Sequence, residues 1–171
     1  MPLNVDLAWQ RAVSFAARFH GGQFRKDGET PYVAHPFRVA MTLRHVFGID
    51  DPVALCAALL HDVIEDTTAD YDDIADGFGT EIAKTVAALT KDMRLPESQR
   101  EPDYDARLRE ANWQARAVKL ADVFDNLCDF HGAAMRGRAI EKARRAIDCA
   151  GNDERLKTAI ARLQTLVEGL D

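Results

Sequence analysis

The chain has 171 residues, of which 47% are apolar, and its 22 basic and 28 acidic side chains give a net charge of −6. A chain of this length and apolar content is expected to bury one substantial core in a single domain. Because the balance is acidic and no long basic run occurs, we expect neither a nucleic acid nor a membrane surface as partner. A small anionic ligand remains compatible, since a few local basic residues can outweigh a modest net charge.

The cysteines and the N-terminus indicate the compartment. Cys56, Cys128 and Cys149 are widely spaced and form no metal or redox motif. The first ten residues, MPLNVDLAWQ, lack the basic and apolar regions of a signal peptide. No apolar stretch reaches the roughly 18–20 residues that span a bilayer. These features predict a cytoplasmic protein with no membrane segment.

Helical periodicity dominates the first half of the chain. A first amphipathic helix is expected to end at Gly21-Gly22, and residues 22–34 read as a loop because Gly, Asp, Thr and Pro interrupt the period. A second helix is predicted from Pro36 to Gly48. Pro52 opens a third, DPVALCAALLHDVIED, which is apolar nearly all round and is therefore predicted to be central.

The second half continues the helical pattern. No alternating β pattern or internal repeat appears, so the sequence predicts a single compact all-α domain over residues 1–171. Residues 91–104 are polar with two prolines and read as a mobile connection that could cover the site as a lid. The predicted helices are 71–78, 80–89, about 105–110, 113–130, and two charged amphipathic C-terminal helices, 137–150 and 153–169. Those last two either pack internally or face another subunit, which leaves a homo-oligomer open.

The stretch HDVIEDT, residues 61–67, places three carboxylates at the end of the third predicted helix. Acidic side chains there oppose the helix dipole at a cost of a few tenths of a kcal/mol each, and Asp62 and Asp66 repel each other at (i, i+4) spacing. A cation would reverse the sign of this arrangement. His61 and Asp62 are donors that suit Mn²⁺, Fe²⁺ or Zn²⁺. The alternative is a solvated acidic helix end with a surface histidine.

Two other segments add metal-binding side chains. His35 directly precedes Pro36, which restricts its backbone at a helix entrance, although a capping or partly buried histidine is the alternative. In VKLADVFDNL, Asp122 follows an apolar stretch and needs a partner, which could also be Lys119 or an arginine. Taken together, two imidazoles and two carboxylates favour a metal site with open positions for water and substrate.

Four segments together resemble a known family: HGGQFRKDGETPYVAHPFRVA, AALLHDVIEDT, FGTEIAKTVAALTKD and VKLADVFDNL. Their order and spacing are similar to the hydrolase domain of the RelA/SpoT family, which belongs to the HD superfamily of metal-dependent phosphohydrolases. The motif core covers residues 20–130. The compact length resembles the stand-alone alarmone hydrolases, the single-domain SpoT homologues.

The resemblance implies an all-helical HD-type domain with a bound Mn²⁺, although other first-row divalent ions suit the same ligands. It also implies a small nucleotide substrate, with removal of the 3′-pyrophosphate from (p)ppGpp to give GDP or GTP by a metal-bound water. By position, the implied metal ligands are His35, His61, Asp62 and Asp122, the acid–base pair is Glu65 and Asp66, and the substrate contacts are Arg25, Lys26 and Asn126, with Tyr32 and Arg100 as further candidates.

Two positions depart from the family pattern. Val123 and Cys128 stand where relatives commonly carry basic residues. This loss of charge leaves the substrate open, and another phosphorylated nucleotide, such as NADPH losing its 2′-phosphate, is the alternative. A non-catalytic nucleotide sensor is a third hypothesis. Three arginines are candidates to replace the lost charge: Arg94, Arg107 and Arg116.

Overall fold

The structure is a computed structural model that describes residues 7–129 and 133–170. Its helices are α1 (Ala8–Phe19), α2 (Ala34–Met41), α3 (Pro52–Leu60), α4 (Val63–Asp66), α5 (Tyr71–Phe78), α6 (Thr80–Leu89), α7 (Glu97–Glu110), α8 (Trp113–Cys128), α9 (Ala133–Ala150) and α10 (Lys157–Glu168). A π-helical turn, Thr42–Val46, extends α2, and a 3₁₀ turn, Glu154–Leu156, precedes α10. Across the described ranges no strand forms, and β pairing is limited to an isolated bridge between Phe24 and Pro31. The prediction of an all-α fold is confirmed.

Helix α3 lies at the centre of the fold. Pro52 occupies its first turn, and the Asp51 side chain accepts a hydrogen bond from the Ala54 N–H at 2.8 Å, which caps the helix. Every residue from Val53 to Leu60 is buried. Helices α1, α2, α6 and α8 pack around it. Because α3 is surrounded on all sides, its C-terminal end delivers His61 to the interior of the domain.

Three helices converge on the predicted metal ligands. His35 lies in the first turn of α2, His61 directly follows α3, and Asp122 lies in the middle of α8. Asn112 caps the start of α8 by accepting a hydrogen bond from the Ala115 N–H at 2.9 Å. Since α2 and α8 both pack on α3 and on each other, residues far apart in the sequence meet at one point.

The third helix is not continuous to Asp66 as predicted. It ends at Leu60, and the short helix α4 begins at Val63. The His61 Nδ1 atom lies 2.8 Å from the Ala58 carbonyl oxygen, which a continuous helix would use for the N–H four residues on. The helix is therefore interrupted at the histidine and aspartate that the sequence marks as metal ligands.

Residues 91–104, for which their composition predicted a mobile connection, are largely helical. Helix α7 begins at Glu97 and contains Pro102, although proline removes a backbone donor from a helix interior. Tyr104 and Leu108 are buried at 2% and 1% exposure and anchor the helix on the core. This tertiary packing outweighs the local propensity of the segment, and the expected separate helix at 105–110 is part of α7.

The C-terminal helices pack within the chain. Helix α9 lies along α8, and α10 contacts both. Ile140, Ala143, Leu163 and Val167 are buried in these contacts. The helix predicted for 137–150 begins earlier, at Ala133, and the end of the one predicted for 113–130 lies outside the described residues. No helix in the described part of the chain is long and apolar enough to cross a membrane.

Candidate metal centre and active site

His35, His61 and Asp62 form a compact group of metal donors. One donor atom from each lies within 4.8 Å of the other two. Both histidines are buried, at 1% and 4% exposure, whereas the Asp62 side chain is 20% exposed toward a cavity. Two imidazoles and a carboxylate at this spacing suit a divalent first-row metal ion.

The orientation of His61 favours a cation in front of it. Its Nδ1 atom is paired with the Ala58 carbonyl, which accepts only from an N–H, so the Nε2 atom presents a lone pair in the neutral ring. Nε2 is buried and has no hydrogen-bond partner, yet it lies 3.0 Å from Asp62 Oδ2. Burial lowers the pKa of His61, but the charges of Asp62 and Asp122 outweigh it and raise the pKa to about 9. In the charged ring Nε2 carries a proton, and a metal ion bound at Nε2 would take the place of that proton. The residues present therefore fit a bound metal ion.

Asp122 faces the same point from α8. Its Oδ1 atom lies 3.2 Å from His35 Nε2 and 3.9 Å from His61 Nε2. Its Oδ2 atom accepts a hydrogen bond from Lys119 Nζ at 2.8 Å, and Oδ1 accepts one from the Asn126 amide at 2.6 Å. The salt bridge weighed as the alternative for Asp122 thus exists, but it uses one oxygen and leaves the other turned toward the histidines.

Glu65 and Asp66 border the metal donors from α4. Glu65 Oε2 accepts a hydrogen bond from the Lys91 N–H at 2.9 Å, and burial raises the pKa of this side chain. Burial and the charge of Asp62 likewise raise the pKa of Asp66. The Tyr32 hydroxyl lies 2.7 Å from Asp62 Oδ2 and 3.1 Å from Asp66 Oδ2, so it can donate to either carboxylate.

The predicted basic pair behaves unequally. Arg25 donates to Asp129 Oδ2 from Nε at 3.1 Å and to Asn126 Oδ1 from Nη2 at 3.0 Å. Because Asn126 also bonds to Asp122, it connects the arginine to the metal donors. Lys26 is exposed, and the polar contact found for it is to Met135 Sδ at 3.8 Å. Hydrogen bonds to two side chains hold the Arg25 guanidinium, whereas the Lys26 ammonium has a weak contact with a thioether sulfur.

Two adjoining cavities open at this site. The first, of about 290 Å³, contains all four metal-donor candidates together with Glu65, Asp66, Tyr32, Lys91 and Tyr104. The second, of about 260 Å³, has an apolar wall of Val123, Met135 and Ala139. The side chains that line both are Arg25, Lys26, Lys119, Asp122, Asn126 and Lys142. With Lys91 in the first cavity and Arg138 in the second, six basic side chains line the two cavities, and six acidic side chains line them as well: Asp27, Asp62, Glu65, Asp66, Asp122 and Asp129.

Four arginines singled out from the sequence lie away from these cavities. Arg100 Nη1 contacts Met93 Sδ at 3.5 Å and lines neither cavity. Arg94 is paired with Asp92, Arg107 with Asp103 and Arg116 with Asp153. The charge lost at positions 123 and 128 is therefore not replaced by the three arginines proposed for it.

Several residues at the site were missed in the sequence. Asp125 on α8 contacts His35 Nδ1, and Arg38 on α2 pairs with Asp125, while Arg138 and Lys142 reach the cavities from α9. A signal for Asp125 was present, because Asp122, Asp125 and Asp129 fall at i, i+3 and i+7 and share one face of a helix. No such signal indicated that α9 would lie over that face.

Comparison with known proteins shows which family the chain matches. The profile described as HD domain matches residues 12–148. The human guanosine-3′,5′-bis(diphosphate) 3′-pyrophosphohydrolase MESH1 is 42% identical over 127 residues, which cover 74% of this chain and 71% of that protein. The Danio rerio protein of the same name is 37% identical over 139 residues, covering 81% of this chain and 77% of the relative.

A solved structure gives the same result for the fold. It is described as a metazoan ortholog of SpoT that hydrolyzes ppGpp and plays a role in starvation responses. It superposes with a TM-score of 0.85 at 28% sequence identity, covering 99% of this chain and 97% of that one. The chain belongs to the HD-domain family, in the group of small single-domain proteins similar to MESH1.

Proposed function

We propose that this protein is a Mn²⁺-dependent hydrolase that removes the 3′-pyrophosphate from (p)ppGpp to give GDP or GTP. The observation that carries the proposal is the group of His35, His61 and Asp62 in a cavity that five basic side chains also line: Arg25, Lys26, Lys91, Lys119 and Lys142. The relatives named as guanosine-3′,5′-bis(diphosphate) 3′-pyrophosphohydrolases support the same activity.

His35, His61, Asp62 and Asp122 would hold the metal ion. When bound, a divalent ion lowers the pKa of water to about 7 and neutralises phosphoryl oxygens. The imidazole and carboxylate ligands accept Mn²⁺ and other first-row ions alike, so manganese is proposed on the family resemblance.

Glu65 and Asp66 would act as the general base and the general acid. A water oxygen attacks the phosphorus attached to the ribose 3′-oxygen, and Glu65 takes its proton. The raised pKa of Glu65 suits a general base, a role that typically contributes about 10²–10⁴-fold to rate. As the bond between that phosphorus and the 3′-oxygen breaks, Asp66 returns a proton to the leaving oxygen. The products are a nucleotide with a 3′-hydroxyl group and pyrophosphate.

The basic side chains would bind and orient the nucleotide. Arg25 can fork onto phosphate or stack on a base, while Lys26 acts as a point charge. Asn126, which bonds to both Arg25 and Asp122, would contact the substrate near the ribose and the scissile phosphate. Tyr32 lines the same cavity and is a further candidate contact.

A different phosphorylated nucleotide remains the second candidate. Val123 gives the second cavity an apolar wall where relatives commonly carry a basic residue, which weakens the case for a heavily phosphorylated substrate. A substrate such as NADPH, losing its 2′-phosphate, needs fewer cationic contacts. A non-catalytic sensor is less well supported, since a sensor has no need of the Glu65 and Asp66 pair beside the donors.

A substrate panel with Mn²⁺ tests these proposals. Pyrophosphate release from ppGpp is expected to exceed phosphate release from NADPH, and a chelator is expected to abolish it. Asp62→Ala and Glu65→Ala are expected to abolish release. Full activity in either variant contradicts the mechanism, and faster turnover of NADPH favours the second candidate. Nucleotide binding without turnover would favour the sensor.

A further inference from the structure

We infer that Asp125 is a positioning residue for the metal site, which orients His35 so that its Nε2 atom faces the ion, and that Arg38 is its counter-ion. This inference rests on the proposed metal-binding role of His35. Neither Asp125 nor Arg38 is among the side chains that line the two cavities. Asp125 therefore does not contact the ion directly, and its hydrogen bond to His35 is the contact through which we expect it to act.

The hydrogen bonds around His35 fix the direction of its ring. Asp125 Oδ2 lies 2.7 Å from His35 Nδ1 and, as a carboxylate, can only accept, so Nδ1 carries the proton in the neutral ring. Nε2 is then a free lone pair, 3.2 Å from Asp122 Oδ1 and 3.6 Å from Asp62 Oδ2. A carboxylate behind a ligating histidine fixes the tautomer and raises the basicity of the ligand.

Arg38 pairs with the Asp125 carboxylate through two hydrogen bonds. Its Nε donates to Asp125 Oδ1 at 2.6 Å, and its Nη2 donates to Asp125 Oδ2 at 3.0 Å, which is a two-point contact. Nη2 also donates to Asp129 Oδ2 at 2.8 Å. The Asp125 side chain is only 5% exposed, so an unpaired charge there would be costly.

The two partners of His35 come from a single packing contact. His35 and Arg38 are three residues apart on α2, and Asp122 and Asp125 are three residues apart on α8. The α2–α8 contact thus brings one carboxylate to each nitrogen of the imidazole: Asp122 to Nε2 and Asp125 to Nδ1. The α2–α8 contact therefore brings the metal donors together and also fixes the orientation of the His35 imidazole.

The test measures metal affinity rather than turnover. Mn²⁺ is titrated into the metal-stripped protein, and free Mn²⁺ is followed by electron paramagnetic resonance. Asp125→Ala is expected to weaken Mn²⁺ binding about 10–100-fold, the range typical for loss of such a partner. Asp125→Asn keeps an acceptor oxygen for the Nδ1 proton, and its loss is expected to be smaller than that of Asp125→Ala.

Asp153→Ala provides the matched structural control. Asp153 is also largely buried, with its side chain 11% exposed, and it pairs with Arg116 far from the metal donors. This variant is expected to lower the unfolding temperature and leave the Mn²⁺ affinity unchanged. If Asp125→Ala binds Mn²⁺ within twofold of the wild type, or weakens binding no more than the control does, the inference is overturned.

A measurement on the wild type covers the case in which Asp125→Ala does not fold. With Zn²⁺ as the diamagnetic probe, ¹⁵N spectra of the histidine rings are expected to give His35 with the metal on Nε2 and a proton on Nδ1. Metal on Nδ1, or a proton on Nε2, refutes the inference. If the wild type binds neither ion, the proposed function fails and the inference fails with it.

Discussion

Lys119→Met is expected to destabilise the metal-free protein. Lys119 Nζ lies 2.8 Å from Asp122 Oδ2, and the two side chains are only 18% and 12% exposed. Methionine keeps most of the side-chain length but removes the cation. Loss of one partner from a buried ion pair costs about 3–5 kcal/mol, because the other charge stays buried. Asp122 keeps its hydrogen bond from Asn126, which places the expected loss near the lower end, at about 3 kcal/mol.

This loss should be measurable as a change in melting temperature. For a domain of this size 1 kcal/mol corresponds to about 2–4 °C, so the metal-free variant should melt roughly 6–12 °C below the wild type. A divalent ion next to Asp122 would supply the missing positive charge. Mn²⁺ is therefore expected to raise the melting temperature of Lys119→Met by more than it raises that of the wild type. Thermal unfolding followed by circular dichroism, with chelator and then with Mn²⁺, gives both values.

An exposed ion pair serves as the control for this experiment. Lys157 pairs with Glu154 at 3.2 Å, but both side chains are more than three-quarters exposed, at 76% and 83%. Because such pairs contribute about 0–1 kcal/mol, Lys157→Met should melt close to the wild type with or without the ion. The reasoning about Asp122 is refuted if Lys119→Met also melts within about 2 °C of the wild type, or if Mn²⁺ stabilises both proteins equally.

Further predictions concern pH, substrate binding and packing. The pKa of His61 is raised from 6.5 to about 9, so the metal-free protein should lose stability as pH rises through that range. Saturating Mn²⁺ should remove this loss of stability. Thermal unfolding with and without chelator checks both expectations. Arg25→Ala should raise KM about 10–100-fold, because charge-assisted hydrogen bonds to the substrate are lost. Arg94→Ala removes an exposed ion pair with Asp92 and should leave KM unchanged. Steady-state kinetics measures both values. Leu60→Ala empties a fully buried position in α3 and should cost about 2–5 kcal/mol in urea unfolding.

The sequence was most informative where local rules set the structure. The start of α3 at Pro52, the apolar face of each long helix and the absence of alternating patterns were enough to predict an all-α domain with α3 at its centre. The residue types of His35, His61, Asp62 and Asp122, together with the family resemblance, predicted one metal site drawn from three separate segments of the chain. Those rules hold because capping and burial act within a few residues of each other.

Local rules failed where distant contacts decide. Residues 97–110 are polar and contain Pro102, yet they form a helix because Tyr104 and Leu108 are buried against the core. The contact of Arg38 and Asp125 behind His35 depends on which faces of α2 and α8 meet, and spacing along one chain does not specify that. The break in α3 at His61 is different, because it follows from a local contact of the imidazole with the Ala58 carbonyl that helical periodicity alone does not indicate.

The central claim is that one ion joins His35, the His61–Asp62 pair and Asp122. Anomalous diffraction from crystals grown with Mn²⁺, recorded on both sides of the manganese absorption edge, tests it most directly. We expect a single strong manganese peak within bonding distance of His35 Nε2, His61 Nε2 and carboxylate oxygens of Asp62 and Asp122. No peak there, or a peak that some of these side chains turn away from, would contradict it.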